Sequence, residues 1–170
     1  MRRLNRRTLY QYACLILLVV AAWPSTGWSR PARHACDVNV LVPTLLQNWA
    51  TQLSRSSPSD PTPIVSFYAD NGVLLPTCAN GPLTGRAAIR GYFEGFLKPQ
   101  PAVTFDAASG RIGGDCAHPF GSGLYTFKLK DGTVLQGRYT YVFRQVSANA
   151  WLIAQHHSSL EPESNSACPH

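Results

Sequence analysis

Apolar and polar residues alternate through three consecutive runs in the last third of the chain, between Gly123 and Ser159. The turn pairs Asp131-Gly132 and Ala148-Asn149 separate the runs, so the pattern predicts an antiparallel meander. The third run ends in His156-His157-Ser158-Ser159. Polar, ionisable side chains on a strand that buries one face cost free energy unless they are satisfied. This strand end is therefore either a satisfied core network or the wall of a pocket.

Upstream the period changes. Val40, Leu41, Leu45, Leu46, Trp49 and Leu53 recur near 3.6 residues, and Asp37 stands where a helix cap belongs. Pro43 falls in the first turns and predicts a late start or a bend. A Ser- and Pro-rich loop follows from Ser54 to Pro63, then a short apolar segment to Tyr68. Asp70-Asn71-Gly72 reads as a turn and Val73-Leu74-Leu75 as a strand ended by Pro76. Between Gly85 and Leu97, residues Ile89, Tyr92, Phe93 and Phe96 make the apolar face of a second helix, with Arg86 and Arg90 largely outside it. A further strand and turn are expected across residues 102–113. Helices first and a meander last argue for an α+β domain, with the helices on one face of a curved sheet.

The first residues stand outside this pattern. Met1 to Tyr12 holds four arginines and no acid, and Ala13 to Trp23 is a short apolar run broken by Pro24 and Gly27. That layout predicts a signal peptide over residues 1–29 and an exported product, periplasmic or secreted. The run is about half of the roughly 20 residues that a spanning helix needs, so no stable membrane insertion is expected after cleavage. Asn5-Arg6-Arg7-Thr8-Leu9 also permits twin-arginine export. The domain is placed at residues 36–163 and a polar tail at 164–170.

Removing that segment changes the charge. It holds 4 of the 15 Lys+Arg, and all 9 acids lie beyond it, so the remainder carries 11 basic against 9 acidic residues, a net +2. No basic stripe remains that would suit nucleic acid. Cys36, Cys78, Cys116 and Cys168 remain as well. An even count in an exported domain reads as two disulfides, with three connectivities open. Cys36 and Cys168 flank the domain, so the expected pairs are Cys36–Cys168 and Cys78–Cys116. The spacing holds no CxxC pair, so no zinc site is expected, and no cofactor.

The stretches FYADNGVLLPT (Phe67 to Thr77), GRAAIRGYFEGFL (Gly85 to Leu97), GLYTF (Gly123 to Phe127), RYTYVFR (Arg138 to Arg144) and WLIAQHHSS (Trp151 to Ser159), in that order and spacing, resemble the nuclear transport factor two-like superfamily. Within it, the chain is most similar to the association (hub) domain of calcium/calmodulin-dependent protein kinase II and to its stand-alone bacterial, SnoaL-like relatives. The resemblance implies a cone-shaped α+β fold, a pocket at its wide end, and dimers or larger homo-oligomers built on the outer sheet face. It does not imply kinase activity, since no glycine-rich phosphate loop, HRD or DFG occurs. Of the kinase hub's pocket arginines, the one near the end of the last strand falls at about Ser158 here, so carboxylate binding does not carry over whole.

Strand alternation sorts the candidate residues. Arg138, Thr140 and Val142 share one face of their strand, while Tyr139, Tyr141 and Phe143 share the other. In the last strand Leu152, Ala154, His156 and Ser158 share a face, opposite Trp151, Ile153, Gln155 and His157. The resemblance turns the Arg138 and His156 faces inward. Arg138 is then either an anchor for an anionic ligand or half of an ion pair with Asp70 or Asp106. His156 is either a general base or a histidine satisfied by a neighbour. His156 and His157 point to opposite faces, so they make no two-histidine metal site. Tyr68, Asp70, Tyr92 and Tyr125 are candidates to line the same cavity, Asp70 alternatively serving as a turn residue. Tyr139, Tyr141 and Phe143 would form an outer aromatic stripe suited to an oligomer interface.

The sequence thus predicts an exported, disulfide-bonded domain that self-associates and holds a small, anionic molecule near Arg138, Thr140, His156, Ser158, Tyr68 and Tyr125. The competing expectation is a small enzyme of the cyclase, isomerase or hydrolase type, with His156 or Asp70 as base and a tyrosine such as Tyr92 as donor. The third is a scaffold whose pocket is filled by its own side chains.

Overall fold

The computed structural model describes residues 36–161. The expected signal peptide, the expected tail and Cys168 lie outside the described residues. Helix α1 (Val38–Arg55) starts where the Asp37 carboxylate accepts the Asn39 backbone N–H at 2.9 Å, which satisfies one of the free donors at a helix start. Pro43 neither delays nor ends it, and sits on its exposed side. The buried stripe is Val42, Leu46, Trp49, Ala50 and Leu53, whereas Val40 is 65% exposed.

Next come α2 (Thr62–Val65), β1 (Tyr68–Leu75), β2 (Leu83–Thr84), α3 (Gly85–Phe96), β3 (Ala102–Phe105), β4 (Arg111–Gly113), β5 (Phe120–Lys128), β6 (Val134–Ser147) and β7 (Ala150–Leu160). The α3 bounds match the 3.6-residue spacing, and its Ile89 and Phe93 are buried. The strands form one curved, unclosed sheet in the order β2-β1-β7-β6-β5-β3, with β4 also on β5. The meander β5-β6-β7 is antiparallel as expected, but β1 pairs parallel with β7. The expected Asp70-Asn71-Gly72 turn is not a chain reversal. It is a register shift inside β1, between Tyr68 and Val73. No helix among the described residues is long and apolar enough to cross a membrane.

The helices cover one sheet face and bury Trp49, Tyr68, Phe93, Tyr125, Tyr141 and Phe143. Full burial of such a side chain contributes about 1.5–3 kcal/mol. This corrects the orientation expected for β6. Tyr139, Tyr141 and Phe143 are core residues, not an outer stripe, and Arg138 and Thr140 lie on the other face. The reason is energetic: three aromatic side chains gain far more from burial than an arginine, which resists full burial.

The disulfide expectation is also corrected. Cys36 bonds Cys116, with Cα atoms 6.0 Å apart, and Cys78 is itself disulfide-bonded. The start of α1 packs so closely on β5 that a Cβ on Gly121 would lie 2.8 Å from Val42 Cγ1. The segment joining β4 to β5 therefore brings Cys116 to Cys36, the residue before the helix cap Asp37.

Candidate functional site

β7 presents two polar side chains to the buried face, His156 at 4% and Ser158 at 9% exposure. A bulge at Ala154 separates the pairs Phe143↔Ile153 and Val142↔Gln155. The extra residue shifts the two-residue alternation, so Ile153 and His156 both face the core. The sequence reading, which set them on opposite faces, is corrected by this bulge.

His156 is enclosed by aromatic rings. Tyr141 stacks on it with ring centroids 3.9 Å apart, and Trp49 meets it edge-on at 5.5 Å. Its Nδ1 lies 2.8 Å from the Tyr68 hydroxyl. Burial, reinforced by neighbouring His157, pulls the imidazole down from 6.5 to about 3, so the ring is neutral near pH 7. Burial drives the Tyr68 phenol well above its usual value; the Trp49 indole opposes this by proximity, although its N–H lacks hydrogen-bond geometry to that oxygen. Burial also lifts Tyr141 well above its usual value. Both phenols therefore stay protonated.

A second polar chain starts at Tyr125, whose hydroxyl donates to Ser158 Oγ. Ser158 Oγ in turn lies 2.5 Å from Thr77 Oγ1. Ser158 has two exposures to empty space. It lines an interior cavity of about 10 Å³ walled by Trp49, Leu74, Tyr92, Phe96, Tyr125, Phe127 and His156. It also lines a surface groove of about 340 Å³, together with Leu75, Thr77, His157 and Ser159. The interior cavity has room for about one water-sized group.

Three buried polar atoms have no hydrogen-bond partner among the described residues: Trp49 Nε1, the Tyr141 hydroxyl and His156 Nε2. Their rings touch one another, Trp49 lying 5.4 Å from Tyr141. Native cores rarely leave such groups unpaired, and each costs roughly 1–3 kcal/mol.

The structure thus brings His156, Ser158, Tyr68, Tyr125 and Tyr92 together and excludes the other candidates from the interior. Arg138 is exposed; its Nε donates to Ser159 Oγ and its Nη2 to the Leu160 carbonyl, both at 3.2 Å. It pairs with neither Asp70 nor Asp106. Thr140 faces outward opposite His157. Asp70 lies at the surface in an ion pair with Arg86 at 3.0 Å, and Arg86 Nε also donates to the Tyr68 carbonyl. No carboxylate lines the cavity among the described residues. Sequence reasoning passed over Trp49, Tyr141 and Thr77. Trp49 was visible only as one member of an apolar helical stripe, and Tyr141 was assigned to the wrong face.

Helices packed on one face of this curved, unclosed sheet make the nuclear transport factor two-like, or cystatin-like, fold. Residues 42–162 match the SnoaL-like domain, and the chain belongs to that family. A Xanthomonas campestris protein described as a calcium/calmodulin-dependent protein kinase II association domain is 35% identical, with a TM-score of 0.64 over 72% of this chain and 87% of that one. A Nostoc punctiforme protein of unknown function is 13% identical, with a TM-score of 0.61 over 75% of this chain and 95% of that one. A Parabacteroides distasonis protein described as a ketosteroid isomerase is 16% identical, with a TM-score of 0.59 over 74% and 89%. The last two similarities concern the fold alone. No curated protein matches the chain significantly.

Proposed function

We propose that this chain is an exported association-type domain that assembles from copies of itself and binds a small molecule in its interior. The observation that carries the binding reading is the trio of buried, unpartnered polar atoms on Trp49, Tyr141 and His156. A scaffold packed only for stability would place apolar groups there. The weak basicity of the buried His156 imidazole, lowered to about 3, and the surface position of Asp70 favour binding over general-base chemistry. The 35% identical association-type relative supports assembly. So does the outer sheet face, where Leu75, Phe120, Val142 and His157 sit on neighbouring strands and Leu75 and Phe120 are 43% and 38% exposed. The basic and apolar leader and the disulfide support export.

The test is a thermal-shift screen of the oxidised domain against small carbonyl compounds, carboxylates and aromatic metabolites, with Tyr141→Phe alongside and light scattering to read assembly. A ligand at about 100 times its dissociation constant stabilises the fold by roughly 2.7 kcal/mol. The expected result is a hit that weakens in Tyr141→Phe. An assembled protein with no hit overturns the binding reading in favour of a scaffold.

A further inference from the structure

The surface groove of about 340 Å³ has two walls: the end of β7, from His157 to Leu160, and the segment after β1, with Thr77, Cys78 and Gly81. Both belong to the same end of the sheet. β1 and β7 run parallel and pair last at Leu75↔His157. Cys78 lies three residues past Leu75, and Leu160 three past His157. Beyond that last pair β7 still pairs with β6, through Leu160↔Gly137, but β1 no longer covers its other side. An uncovered strand edge invites a further segment of backbone. The groove also reaches inward, because Ser158 lines both it and the interior cavity.

Cys78 is exposed and disulfide-bonded. Its partner is neither Cys36 nor Cys116, which hold each other. Of the two other cysteines in the sequence, Cys14 falls in the leader expected to be removed and Cys168 in the tail. The tail departs from the groove itself. Leu160 lines it, and the next residue is held by its Glu161 N–H, which donates to the Gln136 carbonyl at 3.0 Å. Cys168 is eight residues beyond Leu160, a reach of up to roughly 26 Å. A disulfide needs Cα atoms about 4.4–6.8 Å apart, so a chain bonded at Cys78 doubles back across the groove. We propose that residues 162–170 are the occupant of this groove, a strap over Ser158 locked by a Cys78–Cys168 bond. Charge agrees with this seat. The tail carries Glu163, and the Arg138 guanidinium stands at its root, donating to the Leu160 carbonyl. Closing the lock joins the two sulfurs and passes two protons and two electrons to a disulfide oxidant, which becomes a dithiol. A dithiol reductant reverses the step, and exposed disulfides are among the more readily reduced. The strap is independent of whether the interior binds a molecule.

The test has two parts, both on the oxidised protein. Mass mapping of peptides without reduction names the partner of Cys78. Amide hydrogen exchange then compares wild type with the paired substitution Cys78→Ser and Cys168→Ser, and with a Cys78→Ser chain ended at Glu161. The expected result is a Cys78–Cys168 link within one chain. Exchange over residues 76–81 and 158–160 then rises several-fold in both variants, while β5 and the centre of β6 exchange as in wild type and so report an intact fold. Brief treatment of wild type with a dithiol gives the same local rise. A link from Cys78 to Cys14, or to a second copy, overturns the proposal. So does equal exchange in all three proteins, which would mean a tail tethered but not seated. A rise only in the shortened chain also overturns it, because the bond would then not be the lock. None of these outcomes bears on the thermal-shift screen, so failure here and failure of the binding reading are separable.

Discussion

His156 binds a proton readily in the unfolded chain and poorly in the folded one. Its imidazole titrates near 6.5 when exposed and at about 3 inside, chiefly through burial. Between those values the unfolded state holds the extra proton, so acid favours unfolding. Stability contributed by the neutral ring is complete above pH 6.5 and drains away as pH falls toward 3, with a limiting slope of about 1.4 kcal/mol per pH unit. The exposed carboxyls of Asp60 and Asp131, held low by hydrogen bonds to Thr62 and Thr133, lose stability in the same direction at lower pH. They are common to wild type and variant, and cancel in a difference. Urea unfolding of wild type and His156→Leu from pH 7 to 4 is expected to give a visibly flatter profile for the variant; parallel profiles would remove His156 from the account. At this scale the sequence was half legible. Alternation shows that Arg138 and Thr140 oppose Tyr139 and Tyr141, but not which pair faces inward. That choice is settled by the greater gain from burying rings. The bulge at Ala154 has no local signal, because Leu152 to Gln155 contains neither glycine nor proline.

Elements were easier to read than their partners. Both longer helices follow from 3.6-residue spacing, and the meander follows from alternation and its two turns. The central part of β1 was harder, because Asp-Asn-Gly carries turn chemistry while the pairing with β7 overrides it. Gly72 shows the cost of that pairing. A Cβ there would lie 3.0 Å from the backbone oxygens of Ala69 and of Ile153 on the neighbouring strand. Neither oxygen can move without disturbing the ladder, where the Ile153 N–H also donates to the Phe67 carbonyl at 2.7 Å. Gly72→Ala is therefore expected to destabilise the fold by about 1–3 kcal/mol, read as a lower urea midpoint with an unchanged slope. An unchanged midpoint would show that the bulge relaxes freely.

For the whole molecule, the Cys36–Cys116 bond joins residues 80 apart in sequence, and closing so long a loop restricts the unfolded chain. In the chain-entropy view its loss costs about 4 kcal/mol. The paired substitution Cys36→Ala with Cys116→Ala, which leaves Cys78 untouched, is expected to lower the oxidised protein's unfolding free energy by that order; a change below about 1 kcal/mol would mean that packing of α1 on β5 alone fixes the helix start. The connectivity was illegible because it depends on where α1 docks, a fact no spacing of cysteines records. The sheet order carries one more consequence. β7, the final strand, lies between β1 and β6 and brings Ile153, His156 and Ser158 to the core. Until it arrives, β1 has only the two-residue β2 beside it. A nascent chain emerging amino end first thus lacks the strand that joins β1 to the rest of the sheet until Leu160 has emerged.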